Sequence, residues 1–118
     1  MKLDTDEKLK DFIIKCLNDK KAENIFVMDL GKDNALARYF VIANGRSSKN
    51  VSSIGEFISL EVRNNSNLNV GIEGLSDGQW VLVDCGDVIV HLFHPETREI
   101  FRLEDLWKKR GNTDKILN

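Results

Sequence analysis

One segment constrains this chain more than any other: Trp80-Val81-Leu82-Val83-Asp84-Cys85-Gly86-Asp87-Val88-Ile89-Val90-His91-Leu92-Phe93. Two apolar, β-branched runs flank a Cys-Gly turn, which predicts an antiparallel hairpin. With a two-residue loop, Asp84 lies opposite Asp87, Leu82 opposite Ile89 and Trp80 opposite His91. Side chains alternate along a strand, so Val81, Val83, Val88 and Val90 share one face, and Trp80, Leu82, Ile89, His91 and Phe93 share the other. Both faces are apolar.

The rest of the chain supplies elements to pack on such a hairpin. Leu9, Phe12, Ile13, Cys16 and Leu17 recur on one helical stripe, predicting a helix over 6–17 capped by Asp4 or Thr5. Ile25-Phe26-Val27-Met28-Asp29-Leu30 and the run over 38–43 read as two strands, joined by the polar connection 32–37 as an antiparallel pair. Ser47 or Ser48 caps a second helix with Val51, Ile54, Phe57, Ile58 and Val62 on its apolar side, ending near 63–66. A short strand over 69–73 completes a strand, helix, strand crossover. After His94-Pro95, residues 96–107 read as one or two helical turns carrying Ile100, Phe101, Leu103, Leu106 and Trp107. This order predicts a single α/β domain with a mixed sheet of about five strands flanked by helices, its core over about 5–107 and a polar tail over 108–118.

The 118 residues suit one domain, and 42% hydrophobic side chains fill a core without a disulfide or metal staple. Seventeen basic against 19 acidic residues leave a net charge of −2, which lacks the cationic surplus needed to grip nucleic acid by its phosphates. DNA is therefore excluded as a primary ligand. Cys16 and Cys85 are read as buried, reduced thiols. No apolar run approaches the roughly 20 residues that span a bilayer, and the acidic N-terminal stretch resembles no export signal, so the expected location is the cytoplasm.

Asp84, Asp87 and His91 form the one constellation suited to a divalent cation. The competing reading makes the carboxylates turn residues bonded to nearby amides. Asn44-Gly45-Arg46-Ser47-Ser48 joins a strand to a helix but lacks the lysine and glycine spacing of phosphate-binding loops, so a tight turn and cap account for it. Neither cysteine has a basic neighbour in sequence to activate it. No catalytic set, metal or cofactor is expected. What remains is the apolar face of the hairpin, with Phe101 and Trp107 following it, and large aromatics on an apolar face suit protein binding.

Asp29, the stretch 39–48, Gly74, the hairpin 80–93 with its Asp-x-Gly-Asp-x-x-x-His core, and Arg98-Glu99-Ile100-Phe101-Arg102-Leu103-Glu104-Asp105-Leu106-Trp107 together resemble the ribosomal silencing factor, or Iojap, family. The resemblance runs from about Leu9 to Trp107. It implies a nucleotidyltransferase-like topology without that activity. It also implies a translation repressor that binds the large ribosomal subunit through its fourteenth protein and sterically blocks the small subunit, with a further role in large-subunit biogenesis. Carried onto this chain, the partner-binding face comprises Trp80, Leu82, Ile89, His91, Phe93, Arg98 and Phe101, with Asp84, Gly86 and Asp87 supporting the hairpin. Lys108, Lys109 and Arg110 would supply a minor contact to ribosomal RNA, and relatives imply a homodimer in the free state. Two positions depart from the family pattern: Arg38 stands where Asp is usual, and Phe101 where Tyr is frequent. The alternative is a small nucleotide- or metal-binding enzyme using Asp84, Asp87 and His91.

Overall fold

Thr5 opens the first helix in extended backbone, its hydroxyl accepting the Lys8 amide at 3.1 Å. Asp6 and Glu7 occupy the first turn, where the helix dipole favours negative charge. This helix, α1 (Asp6–Asp19), buries Leu9, Ile13, Cys16 and Leu17. The structure, a computed structural model, describes residues 3–105. Leu106, Trp107, the basic triplet Lys108-Lys109-Arg110 and the expected tail over 108–118 lie outside the described residues.

The chain continues through β1 (Glu23–Asp29), β2 (Tyr39–Asn44), α2 (Ser48–Asn64), β3 (Gly71–Glu73), β4 (Trp80–Asp84), β5 (Val88–Phe93) and α3 (Pro95–Phe101). Ser47 caps α2 by accepting the Asn50 amide at 3.1 Å. The strands form one mixed sheet in the order β1-β2-β5-β4-β3. β1 and β2 pair antiparallel, as do β4 with β5 and β3 with β4, whereas β2 and β5 run parallel. The crossover from β2 through α2 thus ends at the far edge of the sheet, and β4 and β5 return to fill the gap.

Strand parity then divides the core. Val41, Ala43, Val81, Val83, Val88, Val90 and Leu92 join the buried stripes of α1 and α2 in one large cluster. On the opposite face, Phe26, Met28, Ile42 and Phe93 form a smaller cluster, flanked by Phe40, Trp80 and Leu103. Both long helices therefore cover the same side of the sheet.

The hairpin register differs from the expected one. Asp84 pairs with Ile89, Leu82 with His91 and Trp80 with Phe93. A two-residue turn of the favoured type needs positive φ at both central residues, or glycine at the first. In a Cys85-Gly86 loop glycine would be second, and it is Gly86 that takes the left-handed conformation, at φ +89°. Cys85 stays inside, fully buried, and its amide donates to the Val88 carbonyl at 3.0 Å. That bond pairs Cys85 with Val88, so the two-residue loop is Gly86-Asp87, with glycine first, and the pairing slides by two residues. A slide of two leaves every side chain on its expected face.

Arg38, the departure from the family pattern, is absorbed by its surroundings. Its Nε and Nη2 donate to the two carboxylate oxygens of Asp29 at 2.9 and 3.1 Å, and Nη1 reaches Glu7 at 3.4 Å. The paired guanidinium holds the Asp29 carboxyl below its ordinary range. The hairpin of β1 and β2 is thereby tied to the first turn of α1.

Helix α2 packs tightly on the sheet at Gly55, where a Cβ would stand 2.7 Å from Cγ1 of the buried Val81. Gly55→Val should lower unfolding stability by about 1–3 kcal/mol through overpacking, read as a shift in the urea midpoint without a change in slope.

Candidate functional site

The side of the sheet without α1 and α2 is only partly covered. Its floor is Phe93, 1% exposed, and His91, 5% exposed. Above them lie the half-buried Phe40, Trp80, Leu82 and Ile89. At one end Phe101 stands 49% exposed with its ring 4.9 Å from that of Trp80. The Trp80 ring also packs at 4.9 Å on Phe93, and its Nε1 donates to His91 Nδ1 at 3.1 Å. Phe40 meets the His91 ring edge-on at 4.6 Å. These rings make one continuous aromatic surface, with the indole at its centre.

Arg98 secures the helix that carries Phe101. It is buried, so it supports this face from beneath and does not present its charge to a partner. Nε and Nη2 bind the Glu104 carboxylate at 2.8 and 2.7 Å, and Nη1 donates to Asn44 Oδ1 at 3.0 Å and to the Asn24 carbonyl. α3 is thus anchored to the end of β2 and the start of β1. The helix begins at Pro95, capped by His94, whose Nδ1 accepts the Glu96 amide at 3.3 Å. It ends where Arg102 turns into left-handed backbone at φ 47°.

The candidate metal constellation does not converge. Asp84 is exposed and accepts the Gly86 amide at 2.9 Å, the turn role weighed against metal binding. Asp87 lies against Asp6 of α1, whose carboxyl is raised by burial and by the Asp87 charge. His91 turns away to Trp80. Among the described residues, no three His, Cys, Asp or Glu side chains gather as a metal would require. Burial pushes the Cys16 thiol up to about 11 and the Cys85 thiol up to about 12, the reverse of an activated nucleophile.

Phe40 is the member of this face that sequence reading omits. Its strand is apolar at nearly every position, so alternation alone does not show which side faces where. Only the parallel register, Phe40 beside Ile89 and Ile42 beside His91, places it. Asn44 is likewise missed: a buried amide at a strand end, bonded to an arginine 54 positions away, leaves no local signal.

Fold and site together define a small α/β protein whose prominent feature is a partly covered sheet face of aromatic side chains. The profile of the family described as "Ribosomal silencing factor during starvation" matches residues 3–117. The chain is 40% identical over 90 residues to "Ribosomal silencing factor RsfS" of Bacillus subtilis, covering 76% of each. It is 30% identical over 109 residues to mouse "Mitochondrial assembly of ribosomal large subunit protein 1", covering 90% of this chain and 48% of that protein. A crystal structure of a Chromobacterium violaceum protein superposes with a TM-score of 0.81 at 30% identity, covering 86% and 85% of the two chains. This chain belongs to the ribosomal silencing factor family.

Burial pushes the His91 imidazole down to about 4. From about pH 6.5 down to about pH 4 the unfolded chain takes up a proton that the folded chain refuses, so this group's contribution is complete above pH 6.5 and is lost as acid is added. Between pH 7 and pH 5 the loss from His91 is about 2 kcal/mol. Urea unfolding of His91→Phe should therefore lose less stability than the wild type over that interval, by about that amount.

Proposed function

We propose that this chain represses translation by binding the large ribosomal subunit through its fourteenth protein, occupying a surface that the small subunit needs. The observation that carries this reading is the half-buried Trp80, packed on Phe93 and Phe101 and in ring contact with His91, on a sheet face that α1 and α2 leave uncovered. Aromatic anchors on a rigid, desolvated floor are the usual centre of a protein interface. A net charge of −2 suits docking on a ribosomal protein better than wrapping RNA. The mechanism is exclusion by mass action, with no bond made or broken: the bound factor stabilises the free large subunit and shifts the joining equilibrium. The chain acts in the cytoplasm, where translating ribosomes are. The name of the mouse relative favours a parallel part in large-subunit assembly.

In the free protein the same apolar face pairs two copies, so self-association and ribosome binding compete. Light scattering should show a mass that falls to that of the monomer in Trp80→Glu.

In sucrose gradients, added wild-type chain should migrate with large subunits and reduce joined ribosomes. Trp80→Glu, checked for an intact melting transition, should do neither, since it places a charge in an apolar contact. Undiminished binding by that variant would show that another surface is used.

A further inference from the structure

His91 is an expensive choice for its position. The ring lies under the open face with Ile42 beside it on β2, Leu82 opposite it on β4, and Phe40, Trp80 and Phe93 in ring contact. All of these are apolar except for one group, the indole N–H of Trp80. Among the described residues, Nε2 is buried without a hydrogen-bond partner. A phenyl ring would fill similar space and leave no polar atom unpaired, and a buried unpaired donor is a net loss for folding. What imidazole alone supplies here is a lone pair at Nδ1, 3.1 Å from Trp80 Nε1. Indole nitrogen can only donate, so the ring is neutral, with its proton on Nε2.

We propose that His91 is a positioning residue of the binding face, which fixes the Trp80 indole in one orientation and takes its N–H out of reach of a partner. The inference rests on Trp80 being the anchor of that face, as argued above. Packing between Phe93 and Phe101 holds the plane of the indole through contacts that carry little directional preference. The bond to Nδ1 selects which edge points inward. With that N–H satisfied inside the protein, Trp80 offers a partner carbon surface only. The group seated on it is then an aliphatic or aromatic side chain; a carbonyl or carboxylate brought there would lose its water and find no donor.

Nitrogen-labelled full-length chain provides the test, with Trp107→Phe assigning the two indole signals. In the wild type, the Trp80 indole proton should exchange slowly, and the His91 nitrogens should report the tautomer protonated at Nε2. His91→Phe should shift the Trp80 indole signal and speed its exchange. His91→Asn, whose Oδ1 can take the place of Nδ1, should restore both in part. Against purified large subunits, His91→Phe should bind about tenfold more weakly, the factor that loss of about one neutral hydrogen bond gives, with His91→Asn in between. The unfolding midpoint of His91→Phe at pH 7 should not fall below that of the wild type, which separates positioning from simple support of the fold. In a Trp80→Ala background, His91→Phe should weaken binding no further. An unchanged Trp80 indole signal in His91→Phe overturns the positioning role, as does an equal loss of binding in the Trp80→Ala background. Wild-type binding by Trp80→Ala would instead overturn the choice of anchor, and the indole comparison would still decide whether His91 orients it.

Discussion

The parallel pairing of β2 with β5 is the contact on which the rest of this molecule depends. It joins segments far apart in the chain, matching Tyr39 to Val88 through to Asn44 and Phe93. Parallel strands cannot be joined by a tight turn, so the chain between them must travel, and it does so through α2, β3 and β4. The pairing sets Val41 and Ala43 beside Val90 and Leu92 under the two long helices. On the other side it sets Phe40 beside Ile89 and Ile42 beside His91, which makes the aromatic face continuous across two strands from different hairpins. The same register brings Asn44 to the end of the sheet where Arg98 finds it.

The asymmetry of the two sheet faces follows from the supply of helices. α1 and α2 carry the long apolar stripes, and both are used on one side. Among the described residues, the second side receives the seven residues of α3 and the Leu103 that follows, enough to close over Phe26, Met28, Ile42 and Phe93. A sheet face left half open would ordinarily invite aggregation. Here its most inward members are buried or internally bonded, and the exposed part is confined to a few rings. The seat of α3 is a buried charge bonded on several sides, an arrangement in which removing one partner is far more damaging than replacing the whole set. Placement of Phe101 over Trp80 thus depends on an interaction at the far side of α3, near the first residues of β1.

The departure at Arg38 shows how one reversed charge is accommodated. A bidentate pair with Asp29 and a longer reach to Glu7 make the guanidinium a link between the first hairpin and α1. Its consequences are confined to the rim of the helical side, away from the aromatic face. Phe101, the other departure, retains the ring that stacks on Trp80, and that stacking needs no hydroxyl.

Much of this was written locally in the sequence. The stripes of α1 and α2, the capping by Thr5 and Ser47, the strand segments and the division of the hairpin into two faces all follow from periodicity and end signals, because they concern residues within a few positions of each other. The exact pairing of β4 with β5 did not follow, since burial of Cys85 and the left-handed Gly86 set the place of the turn. Arg98 looked like a surface contact because its partners, Asn24, Asn44 and Glu104, meet only after the sheet has formed. Sequence spacing makes His91 a candidate ligand or rim residue, and only the neighbouring strands reveal that its one polar contact among the described residues is an indole. Sequence alone determined which residues are apolar, where elements start and stop, and, through the resemblance those residues carry, the family. Tertiary structure decided which apolar face is covered and which is left open, because that depends on a parallel pairing between distant strands that no local pattern encodes.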